Sequence, residues 1–211
     1  MRLHAWAPAA AALLLLTAGN ADAQVGRNEK IANPNRIAAE DLAALPHMNE
    51  ALAAALVEGR PFLSMQDFDL ALGALLTDEQ RAELRGALFV PLNLNTASRD
   101  EILLVPGVGD RMAHEFEEYR PYRTLAQFRR EIGKYVDDDE LARLEQYVYV
   151  PVELNTASDE AILSIPGVGK RMLHEFKEYR PYKAIEQFRR EIGKYVDDDE
   201  LARLERYVTL D

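Results

Sequence analysis

Cysteine is absent from the 211-residue chain, which removes disulfides, thiol nucleophiles and thiolate metal sites together. Long apolar runs are absent too. The most apolar stretch, Ala9 to Thr17, falls well short of the ~20 residues that span a bilayer. Positive charge is in deficit: 25 Lys and Arg against 36 Asp and Glu leave a net charge of −11. That acidity favours solubility and repels polyanions at long range, so a nucleic-acid partner has to be argued against it.

What is present begins with a leader pattern. Arg2 gives a charged start, Ala9–Thr17 an apolar segment, and Ala21-Asp22-Ala23 a small-x-small cleavage site before Gln24. Residues 1–23 therefore read as a signal peptide cleaved near Ala23, and the protein as periplasmic or secreted. Residues 24–34 read as a flexible lead.

The rest is repetitive. Leu94–Val148 aligns without a gap on Leu154–Val208, with 42 of 55 positions identical. A divergent copy lies sixty residues upstream: Asn35 matches Asn95, Pro46 matches Pro106, and Arg60-Pro61-Phe62 matches Arg120-Pro121-Tyr122. Self-similarity at this period marks a repeat architecture, with expected modules at 35–94, 95–154 and 155–211. Their connections, such as Val148-Tyr149-Val150-Pro151-Val152, read as extended or irregular, because proline makes a poor interior strand.

Within a module the signals are helical. Ser98-Arg99-Asp100-Glu101 is a capping box that opens a short helix ended by Pro106. Val108, Met112, Phe116 and Tyr119 recur at helical spacing in a second helix, stopped at Arg120-Pro121. Thr124 caps a third helix with Leu125, Phe128 and Ile132 inward, and Gly133 is placed to end it. Asp137 caps a fourth, with Leu141, Leu144 and Val148 inward. The expected fold is an all-α tandem array.

Between the first two helices stand Pro106-Gly107-Val108-Gly109-Asp110-Arg111 and Pro166-Gly167-Val168-Gly169-Lys170-Arg171, and, in a worn form, Pro46-His47-Met48-Asn49. A Gly-x-Gly turn opening onto a helix offers free N–H groups, the positive end of the dipole and close backbone approach, which suits a phosphate. The ordered string Asn-Thr-Ala-Ser, Ile-Leu, Pro-Gly-Val-Gly, Arg-Met, Tyr-Arg-Pro-Tyr, Phe occurs twice and resembles the helix-hairpin-helix family, in particular its exported ComEA-like competence proteins. The resemblance implies sequence-independent binding of duplex DNA during uptake, with hairpin amides on backbone phosphates and in some relatives a monovalent cation on the hairpin carbonyls. By position it assigns phosphate contacts to Gly107, Val108, Gly109 and Arg111, and to Gly167, Val168, Gly169, Lys170 and Arg171.

The chain departs from that pattern. A second Gly-x-Gly per domain is replaced by Ile132-Gly133-Lys134-Tyr135-Val136, and Asp110 puts an acid where Lys170 puts a cation. Four cations face nine acids in 35–94, eight face thirteen in 95–154, and ten face twelve in 155–211. The single hairpins also resemble the extrinsic photosystem subunit PsbU, which implies the alternative of a scaffold on a membrane protein complex without DNA.

Other chemistry is thin. His114-Glu115 and His174-Glu175 begin like a zinc-protease helix, but Glu118 and Glu178 stand where a second histidine is required. The run Asp137-Asp138-Asp139-Glu140 lacks the ligand spacing of a calcium loop and suits helix capping. The pairs Arg129-Arg130 and Arg189-Arg190 suit either phosphates or a salt-bridged helix surface. The recurring tyrosines suit half-burial with wet hydroxyls. No nucleophile–base pair is apparent, so a non-enzymatic protein without a cofactor is expected.

Overall fold

In the computed structural model of the chain, residues 30–210 are described; the expected signal peptide and residues 24–29 lie outside them. Among the described residues twelve helices follow one another in a recurring order. The first four are α1 Ala39–Ala43, α2 Glu50–Glu58, α3 Met65–Gly73 and α4 Asp78–Leu84. Then come α5 Arg99–Leu103, α6 Asp110–Glu118, α7 Leu125–Ile132 and α8 Asp138–Glu145. The last four are α9 Asp159–Leu163, α10 Lys170–Glu178, α11 Ile185–Ile192 and α12 Asp198–Glu205. Among the described residues no helix is long and apolar enough to cross a membrane.

The connections are more ordered than the sequence suggests. Strand β1, Leu92–Asn93, pairs in parallel with β2, Val148–Tyr149, and β3, Val152–Glu153, pairs likewise with β4, Val208–Thr209. A single parallel bridge, Ala32 to Leu88, repeats the arrangement upstream. Pro91 and Pro151 precede these strands rather than interrupt them, so the donors that matter survive: Leu92 N–H reaches Tyr147 O at 2.8 Å and Leu94 N–H reaches Tyr149 O at 3.0 Å. Each pair ties the residue entering a group of four helices to the residue leaving it.

Capping follows the sequence closely. Ser98 and Glu101 form the reciprocal box on α5, while Ser158 caps α9 without one because Ala161 has no side-chain acceptor. Thr124 caps α7 and Asp137 caps α8. Gly133 does end α7, but at φ −60°. Its role is space: a Cβ there would lie 2.6 Å from Arg129 O and 3.3 Å from Leu141 Cδ2.

A polar clasp explains much of the recurring string. Asn95 accepts from Tyr122 N–H at 2.6 Å through Oδ1 and donates to Tyr122 O at 2.9 Å through Nδ2. Asn35 holds Phe62 and Asn155 holds Tyr182 in the same way. Arg120 adds Nε to Leu94 O at 2.6 Å and Nη2 to Ala97 O at 2.7 Å. A side-chain amide here does the work of a strand neighbour, satisfying backbone groups that irregular chain would otherwise bury unpaired.

The buried apolar residues form two clusters. One runs from Ile31 to Val150 through the first eight helices, and the other from Tyr149 to Val208. Aromatic pairs cross between the groups: Phe89 meets the Tyr147 ring edge-on at 4.9 Å, and Tyr149 meets Tyr207 at 4.6 Å. Several tyrosines are thus deeper than half-buried. Tyr122, Tyr149 and Tyr207 have at most 1 % of their surface exposed, and Tyr149 donates to Arg206 O at 2.8 Å rather than to water. Burial pushes the Tyr122 and Tyr149 phenols well above their usual range.

Candidate nucleic-acid interface

The turns between α5 and α6 and between α9 and α10 are built alike. Leu104 and Ser164 close the short helices in right-handed backbone, and Val108 N–H then bonds Val105 O at 3.0 Å, as Val168 N–H does Ile165 O. Gly107 and Gly167 sit at φ 79° and 85°, where a side chain is strained. Val108 and Val168 are buried, so only their backbone can meet a ligand. Gly109 and Gly169 are extended N-caps, and among the described residues α6 and α10 have no side-chain cap hydrogen bond. Each nine-residue helix therefore presents orphan N–H groups at the positive end of its dipole.

The first hairpin is built differently. His47 replaces the first glycine yet keeps φ at 63°, and Asn49 caps α2 by accepting from Leu52 N–H at 3.0 Å. One amide of its first turn is thus satisfied by its own cap residue.

An arginine lies behind each glycine hairpin. A Cβ on Gly107 would come within 3.2 Å of Arg143 Nη2, and one on Gly167 within 3.1 Å of Arg203 Nη2. Glu140 holds Arg143 through two bonds of 2.7 and 2.6 Å, and Glu200 holds Arg203 through two of 2.6 and 2.7 Å. The guanidinium of Arg143 keeps the Glu140 carboxyl below its ordinary range.

Charge at the two open turns is opposite and compensated. Around α6, Arg99 Nη2 donates to Asp110 O and Oδ1 at 2.9 and 3.0 Å, and Nη1 to Glu117 at 2.8 Å. At the equivalent positions of the next copy stand Asp159, Lys170 and Lys177, and Lys177 Nζ lies 2.6 Å from Asp159. The whole set is inverted, one cation with two acids becoming one acid with two cations. Sequence reading found Asp110 and Lys170 but missed Arg99 and Asp159. The joint reversal at positions 99, 110 and 117 was the available signal.

The assigned cations divide accordingly. Arg111, Lys170 and Arg171 are exposed, with no ion pair among the described residues. The arginine pairs are engaged: Arg129 with Glu145 at 2.7 and 2.6 Å, Arg130 with Glu131, and the same for Arg189 and Arg190. They form a salt-bridged surface. His114 is exposed with Nε2 3.4 Å from Glu118, whereas its neighbour Glu115 is buried. Among the described residues, no three His, Asp or Glu side chains converge as a metal site would need.

Comparisons with family models, with curated protein sequences and with solved structures return no match.

Proposed function

We propose that the chain is an exported, non-enzymatic array of three helix-hairpin-helix modules that binds duplex DNA weakly through the phosphate backbone, in the manner of DNA-uptake proteins. The observation that carries this reading is the third hairpin. There a positive-φ glycine, an uncapped N-terminus on α10 and the unpaired cations Lys170 and Arg171 stand together. Orphan amides plus adjacent cations are what a phosphodiester requires and carry no base information. Gly167, Val168 and Gly169 act through their backbone. The middle hairpin, with Gly107, Val108, Gly109 and Arg111, acts more weakly because Asp110 lies on its first turn. A monovalent cation on the hairpin carbonyls belongs to the same reading. The test is a mobility-shift titration on duplex DNA at low salt. No complex at tens of micromolar protein, or a complex indifferent to Lys170→Glu, would sink it.

A second reading has its own support in the first four helices. Leu63, Leu70 and Leu75 are exposed there, Leu70 by 78 %, at the register positions of Arg123, Arg130 and Tyr135. Exposed leucines, two of them in place of arginines, suit protein contact, as a scaffold on an envelope membrane complex uses. A stoichiometric complex recovered from envelope extract after nuclease treatment supports that reading; recovery of nucleic acid alone opposes it.

A further inference from the structure

The seam between the first helices and the third hairpin concentrates positive charge, with Glu200 on Arg203 as the one acid bonded to it among the described residues. Arg36 stands where the register places Thr96 and Thr156, and its guanidinium lies against the turn of the last copy. A Cβ on Gly167 would be 2.8 Å from Arg36 Cζ and 2.9 Å from Arg36 Nη1, and the same point is 3.1 Å from Arg203 Nη2. The two guanidinium groups therefore approach within about 6 Å of each other. Like charges at that separation repel, and the effect grows as water is excluded.

The neighbours do not relieve it. Arg36 has no carboxylate or carbonyl on its side chain among the described residues. Arg203 is 3 % exposed; Glu200 takes its Nε and Nη2, while Nη1 is buried with no partner. Arg60 adds a third guanidinium. It donates through Nη2 to Ile37 O at 2.7 Å, and burial followed by the charge of Arg36 lowers its pKa. The uncapped N-terminus of α10, with Lys170 and Arg171, contributes still more positive potential. The seam is otherwise closed, with Asn33 Nδ2 3.5 Å from Tyr207 Oη and Arg206 Nη2 donating to Pro91 O at 3.0 Å.

We infer that this cluster is an oxyanion site, in which a phosphate group accepts from Arg36 and bridges it to the Arg203 guanidinium beside the Gly167 turn. Arg36 offers a free planar fork that matches phosphate oxygens, and Arg203, whose own fork is held by Glu200, adds positive charge beside it. The bound anion converts their mutual repulsion into a bridge, so it also fastens the first helices to the last. The source is either inorganic phosphate or a backbone phosphodiester. Only the second rests on the DNA-binding reading.

Thermal unfolding of the full chain with inorganic phosphate, at ionic strength held constant with chloride, tests the site. The unfolding midpoint should rise saturably with phosphate and not with chloride. Arg36→Thr, which installs the residue of the other two copies at an exposed position, should raise the apparent dissociation constant for phosphate by about 10-fold or more. Without phosphate the same variant should unfold no earlier than the parent, because a repulsion has been removed. Arg203→Gln should lose the response as well. A parent that responds no more to phosphate than to chloride overturns the site, and so does an Arg36→Thr chain whose phosphate response equals the parent's.

A labelled duplex separates the sources. Competition by phosphate, with weaker duplex binding in Arg36→Thr, assigns the site to a phosphodiester. A phosphate-dependent midpoint with duplex binding untouched by Arg36→Thr assigns it to free phosphate. Duplex binding then depends on Lys170, Arg171 and the middle hairpin, without Arg36.

Discussion

His47 Nε2 lies 2.7 Å from Glu83 Oε2, and this pair occupies the register positions where Gly107 faces Arg143 and Gly167 faces Arg203. The turn needs a positive φ in all three places, and the residue behind it changes with the residue in it. Where a guanidinium presses on the turn, no side chain fits. Where a carboxylate stands instead, an imidazole fills the gap and bonds it, at the cost of a strained backbone. Gly107→Ala should therefore cost about 1–3 kcal/mol, since alanine at φ 79° is strained and crowds Arg143. Gly167→Ala, at φ 85°, should cost a similar amount, because the Arg36 atoms nearest its Cβ end an exposed side chain that can swing away, leaving Arg203 at 3.1 Å. Urea midpoints check both; a variant as stable as the parent would contradict the geometry.

The second glycine of each turn has no such duty. Gly109 and Gly169 are extended, and a Cβ on either meets nothing within 4 Å. Gly109→Ala and Gly169→Ala should leave stability within about 0.5 kcal/mol of the parent. If a phosphate approaches the backbone there, Gly169→Ala nonetheless weakens duplex binding severalfold. Unfolding midpoints and a DNA titration on the same preparations make the comparison, and unchanged affinity would place the ligand elsewhere.

Elements fixed by neighbours in sequence were legible in advance: the Ser98 box, the Thr124 and Asp137 caps, the stripe Leu125, Phe128, Ile132. Each depends on spacings of three or four residues. The two-residue strands were not, because their partners lie 56 residues away and proline beside them argued for irregular chain. Burial of Tyr149 and Tyr207 was missed for the same reason, since their rings meet across groups of helices. Arg36 was invisible as a site residue. Its only trace was an arginine where two other copies have threonine, and nothing local says that it reaches Gly167.

Inverted charge at the open hairpins predicts unequal affinity for DNA. Lys170→Glu should weaken duplex binding by about 10-fold or more, and log K for the parent should fall with log salt at a slope of roughly −2 to −4. Transplanting the last copy's charges into the middle one, as Arg99→Asp, Asp110→Lys and Glu117→Lys together, should strengthen binding and steepen the slope. Changing Asp110 alone is the poorer experiment, because it sets the new lysine against the Arg99 guanidinium, which keeps only Glu117. Fluorescence anisotropy over a salt series reads both, and a transplanted chain with unchanged slope would show that the middle hairpin takes no phosphate.

Acid should loosen the support behind the middle hairpin. The hydrogen bonds from Arg143, opposed by burial, lower the folded pKa of Glu140 below the ordinary 4.5. Its contribution is complete above that value and is lost as pH falls through the folded pKa. The carboxylate is 37 % exposed, so screening limits its worth. Glu140→Gln should cost about 0.2–1 kcal/mol at pH 7, and the difference should vanish towards pH 3. Glu200→Gln should cost more at pH 7, because Arg203 is almost wholly buried and loses its one carboxylate. Urea midpoints at pH 3, 5 and 7 decide, and a Glu140→Gln deficit that persists undiminished in acid would mean that packing, not charge, holds Arg143 against Gly107.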